Sequence, residues 1–175
     1  MKVFHITQKD YEEGKTYSID NYDGLSYYHS SLNIEQKSIN EAIDNCRPDN
    51  EPSRKKCFYA FENFENCLGF VKSLDGYKLY QVDINAKSPH PMYLIDFLNN
   101  NLNLISSLAH VYWDQSISKD FQIKEFIGTE IRIISKLELP QNINIYKSMM
   151  ISRYHHDKDI CKSLCRKMGI NFQLK

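Results

Sequence analysis

Period-two alternation of apolar and polar positions marks five segments as strands. In KVFHIT (2–7), Val3, His5 and Thr7 fall on one face and Phe4 and Ile6 on the other, as expected of an interior strand. CFYAF (57–61) has the same double-sided apolar character. LYQVDI (79–84) sets Leu79, Gln81 and Asp83 against Tyr80, Val82 and Ile84. FQIKEFI (121–127) places Phe121, Ile123, Glu125 and Ile127 on one side, and EIRIISKLEL (130–139) places Ile131, Ile133, Leu137 and Leu139 opposite Arg132, Lys136 and Glu138. The intervening Gly128-Thr129 pair suits a hairpin turn.

Helical spacing appears between these runs. IEQKSINEAIDNC (34–46) aligns Ile34, Ile39, Ala42, Ile43 and Cys46 along one stripe. ENFENCLGFVKS (62–73) repeats Phe64, Cys67, Leu68 and Val71, and PMYLIDFLNN (91–100) begins with a first-turn proline. A last helix is expected over 158–168, capped by Asp157 and stopped by Gly169. Strands and helices mix without strict βαβ alternation, so the fold class is α+β.

The chain has 175 residues, 42% of them hydrophobic, enough for one core. Its 22 basic and 22 acidic side chains cancel, which argues against a generic polyanion binder. The charge is unevenly placed, however. Residues 141–175 carry seven Lys and Arg against Asp157 and Asp159, leaving residues 1–140 at −5. With Pro140 as boundary, the expectation is an α+β domain over 1–140 and a basic helical extension over 141–175 packed on it. No apolar run approaches the roughly 20 residues that span a bilayer, and the N-terminus lacks the apolar core of an export signal. A cytoplasmic protein with no membrane partner is expected. The five cysteines are odd in number and scattered, so free thiols are expected. Cys161 and Cys165, preceded by His155 and His156, lack the paired spacing of a zinc module and suit a buried helical face, so no metal is expected.

No GxGxxG, Walker loop, GxSxG or HExxH is present. Polar residues on apolar strand faces stand out instead. Glu125 shares a face with Phe121, Ile123 and Ile127, and a buried carboxylate must be paired or serve a site. His5 lies mid-strand, and Tyr59 lies in an aromatic run. Trp113 in AHVYWDQS suits a core seal or a cleft wall. His90 in SPHPM is expected in a rigid exposed segment.

A histidine in the first strand, a tyrosine in a middle strand and a glutamate before a Gly-containing hairpin resemble the His–Tyr–Glu set of ADP-ribosyltransferases. The resemblance rests on VFHIT, PSRKKCFYAFENFENC, KLYQVDI, VYW and QIKEFIGTEIRIISKLEL and covers roughly residues 1–139. His-Ile-Thr replaces the His-Gly-Thr or His-Gly-Ser common in that family. The family implies a split antiparallel or mixed sheet with flanking helices, and NAD as the ADP-ribose donor. It implies Glu125 as the catalytic acid, with Glu130 the other candidate for that place. Glu125 would stabilise an oxocarbenium-like ribose. His5 would hydrogen-bond the adenosine ribose, Thr7 would contact ribose or amide, Tyr59 would stack on the nicotinamide, and Ser53 and Arg54 would reach the diphosphate. The acceptor stays open among protein, nucleic acid and small molecule. A non-catalytic binding module of the same fold, docking a protein or nucleic acid, and a plain structural domain are the other readings.

Overall fold

The computed structural model describes residues 2–21, 32–69, 71 and 73–170. Among the described residues seven strands form one sheet in the order β2-β7-β4-β1-β3-β6-β5. These are β1 Lys2–Thr7, β2 Thr16–Ser18, β3 Phe58–Phe61, β4 Lys78–Ile84, β5 Pro89–Pro91, β6 Lys124–Gly128 and β7 Glu130–Leu137. Every pairing among the described residues is antiparallel. The fold is α+β, as the mixed periodicities require. The β1–β3 join is narrow, with Phe4↔Phe61 its one registered pair. By contrast, β1 and β4 pair from Lys2↔Asp83 to Thr7↔Lys78.

The helices are α1 Ile34–Asn45, α2 Phe64–Gly69, α3 Met92–Asn99, the short α4 Ile105–Leu108 and α5 Gln115–Ser118, and α6 Asn144–Lys167. A capping box starts α1. Asn33 Oδ1 accepts from the Gln36 amide at 2.8 Å, while Gln36 Oε1 accepts from the Asn33 amide at 3.1 Å. Gly169, at φ +68°, ends α6 as expected, a conformation cheap only without a Cβ.

The Gly128-Thr129 pair turns no hairpin, because β6 pairs with β3 and β5 while β7 pairs with β4 and β2. Two further expectations are corrected. The last helix begins at Asn144, so Asp157 is a mid-helix residue and not its cap. Its carboxylate is fully buried and accepts from the Gln122 and Ile123 amides, both at 2.8 Å. Local sequence scored Asp157 as a cap because an aspartate preceding an apolar-periodic run has that signature. The long-range demand of two amides just ahead of β6 outweighs it. His90 is the other correction. It lies in edge strand β5 and is fully buried. The flanking prolines are tolerated because an edge strand need not donate on both sides.

Register assigns side chains to faces, since directly paired residues point the same way. The pairs Phe4↔Phe61, Phe61↔Glu125 and His90↔Glu125 put these four side chains on one face, with Tyr59 and Ile127. Val3, His5 and Thr7 therefore point to the other face, with Phe58, Ala60, Tyr80, Val82 and Phe126. The Glu125 face is covered by helices. Ile39 and Ile43 of α1, Leu94 and Leu98 of α3, and Met150, Cys161 and Cys165 of α6 share one core with Trp113 and Ile127. The opposite face packs Val3, Phe58, Tyr80, Val82, Ile131 and Ile133 around Tyr11.

Candidate functional site

Glu125 sits in β6, only 1% exposed, surrounded by core residues. Strand pattern placed it there, and burial forces it to find partners. The Arg54 guanidinium, also 1% exposed, donates to Glu125 Oε1, and the Tyr112 hydroxyl donates to the same oxygen at 2.7 Å. Arg54 Nη1 also donates to the Tyr112 hydroxyl oxygen, and Arg54 Nε donates to Asn40 Oδ1 at 2.7 Å. The guanidinium carbon lies 4.7 Å from the centre of the Tyr112 ring and 5.1 Å from that of Tyr59. An arginine between two aromatic rings and against a carboxylate has its charge met on every side described.

The loop before β3 aims this arginine. Asp44, in the last turn of α1, accepts the Ser53 hydroxyl at 2.6 Å and the Arg54 amide at 2.9 Å. The Tyr59 hydroxyl donates to the Arg54 carbonyl, closing a turn between the loop and its own strand. Burial pushes the Tyr59 and Tyr112 phenols well above the ordinary tyrosine value, so both stay protonated donors. Burial likewise pushes the Cys57 thiol up to about 12, which makes it a packing group and no nucleophile at neutral pH.

The structure thus gathers Arg54, Tyr59 and Glu125 on one face, with Ser53 fixing the loop that carries Arg54. It does not bring His5 and Thr7 to them. His5 Nδ1 lies 2.6 Å from the Tyr59 carbonyl oxygen, and its ring packs on Tyr11 and Phe58 across the sheet from Glu125. Because a carbonyl only accepts, Nδ1 carries the proton. The role left to His5 is to fasten β1 to β3 where regular pairing is sparse. Thr7 Oγ1 accepts from the Lys9 amide at 3.2 Å. Glu130, the other candidate for the acid, is an exposed residue at the start of β7.

Sequence reasoning missed Asn40 and Tyr112. Asn40 interrupts the apolar stripe of α1 between Ile39 and Ile43 and is buried, so a polar residue inside that stripe was the available signal. Tyr112 lies in a 3-10 turn, where periodicity is silent. Trp113 seals the core, its Nε1 donating to the Ile43 carbonyl at 2.7 Å. Cys161 and Cys165 are fully buried in the helix-side core. Among the described residues no cluster of three or more metal-ligating side chains occurs, and no helix is long and apolar enough to cross a membrane. In comparisons with known proteins, no family model matches the sequence, and no curated protein matches it.

Proposed function

We propose that this chain cleaves the nicotinamide–ribose bond of NAD and transfers ADP-ribose to an acceptor, with Glu125 as the catalytic carboxylate. The observation that carries the reading is the desolvated Glu125, gripped by Arg54 and Tyr112 beside half-buried Tyr59. A buried ion pair with two tyrosines and an asparagine is seldom the most stable filling for a core, and such clusters concentrate at functional sites. In the proposed step the C1′–N bond breaks and nicotinamide leaves with the electron pair. The carboxylate faces the cationic ribose, and the acceptor bonds C1′ and loses a proton. Arg54 exchanges Glu125 for the diphosphate as substrate enters, and Tyr59 offers an aromatic face to the pyridinium. His5 and Thr7 take no part. The acceptor class is open among protein, nucleic acid and small molecule. A cytoplasmic setting is in keeping with five unpaired cysteines.

A second reading, a binding module of the same fold without turnover, is favoured by one specific fact: Arg54 already neutralises Glu125, and both are 1% exposed. Nicotinamide release from NAD decides between them. The enzyme reading expects release by the wild type and a loss of at least about a hundredfold in Glu125→Gln, with an unchanged circular dichroism spectrum. A wild-type protein that neither binds NAD nor releases nicotinamide leaves the binding module standing.

A further inference from the structure

His90 and Glu51 hold two buried polar atoms that no described residue satisfies. Among the described residues His90 Nε2 and Glu51 Oε2 have no hydrogen-bond partner, and they lie 4.0 Å apart. The tautomer follows from the other ring nitrogen: His90 Nδ1 lies 3.2 Å from the Tyr112 carbonyl oxygen, which only accepts, so Nδ1 carries the proton. In the neutral ring Nε2 is then a lone pair. The ring is kept in this orientation by Tyr112, stacked at 4.8 Å and 12°, and by the edge of Trp113. Burial holds His90 below its ordinary pKa, in the neutral state. Two acceptors therefore face each other across the gap, and both call for a donor.

We propose that Glu51 and His90 form a binding site for a primary ammonium group. A nitrogen about 2.8 Å from each acceptor spans 4.0 Å with its two N–H bonds at roughly a right angle. That is closer to a tetrahedral ammonium than to the wider fork of a planar guanidinium, and the carboxylate supplies the opposite charge. Glu51 is also a wall of a pocket of about 240 Å³, shared with Asp49, Asn50, Pro52, Asn85, Lys87 and Thr129. Glu51 is the residue that the pocket and the gap share; His90 does not line the pocket. Of the neighbouring cations, Lys87 Nζ donates to the Asn50 carbonyl, and Arg47 donates to the Glu51 carbonyl through Nη1 while its buried Nε has no partner among the described residues. Neither forms an ion pair with the Glu51 carboxylate among the described residues. Deeper in, Arg54 and Glu125 offset one another.

The site is independent of the NAD reading, and its test uses no NAD. The full chain, labelled with ¹⁵N-histidine, is titrated with n-butylammonium, n-butanol and tetramethylammonium at neutral pH. The expected result is a saturable shift of the His90 Nε2 resonance with n-butylammonium only, weakened at least about tenfold in Glu51→Gln. An equal response to n-butanol or tetramethylammonium overturns the proposal, as does no saturation with the amine. Protonation of His90 at or above its ordinary value in the free protein overturns it too, because the gap would then be a plain ion pair. If Glu51→Gln does not fold, the wild-type ligand series decides alone.

Discussion

At the residue scale the Arg54–Glu125 pair dominates, because removing one partner strands the other charge in the core. Arg54→Ala is expected to cost about 3–5 kcal/mol in urea unfolding. A double replacement by Met at 54 and Leu at 125 should cost much less than the sum of the single changes, since the burial penalty of both charges disappears. Additive losses would show that the two side chains are not coupled. His5 was legible as a special residue from its place between Phe4 and Ile6, but its direction was not. Alternation alone sets it opposite Phe4, and only the Phe4↔Phe61 and Phe61↔Glu125 pairings reveal that Glu125 takes the Phe4 side. The partnership of Arg54 with Glu125, 71 positions apart, is equally hidden from local pattern.

At the element scale, periodicity located β1, β3, β4, β7, α1 and α3 almost residue by residue, since each has one face turned to a core. It failed where a long-range hydrogen bond sets the boundary. Phe121 and Ile123 alternate like strand residues, yet β6 starts at Lys124, just after the two amides bound by Asp157. The same carboxylate lies inside a helix that sequence alone starts fourteen residues too late. Asp157→Asn should therefore destabilise the protein by about 2–4 kcal/mol, because one of the two amides is left facing an NH2 donor and the other keeps only a neutral acceptor. Amide exchange at Gln122 and Ile123 should quicken most. If those amides keep wild-type protection, α6 does not position the start of β6.

At the scale of the whole molecule, α6 supplies Met150, Cys161 and Cys165 to the same core as α1 and α3. A chain ended at Pro140 is expected to lose cooperative thermal unfolding, and a sharp transition in that truncation would count against this dependence. Acid weakens the fold for a definite reason. Burial lowers the pKa of both His5 and His90 from 6.5, so below that pH the unfolded chain takes up protons that the folded chain refuses. Stability is complete above about pH 7 and falls as pH drops, by up to about 1.4 kcal/mol per unit for each histidine. Asp96, raised by burial, works in the opposite direction at lower pH. His5→Gln should flatten the slope of unfolding free energy between pH 6.5 and 5, and an unchanged slope would remove His5 from the account. The single registered rung between β1 and β3 carries a mechanical consequence as well. Two panels, one of four strands and one of three, are stitched at a point where one imidazole does the work of a missing ladder. Tension applied across that stitch should unzip the panels before either one frays.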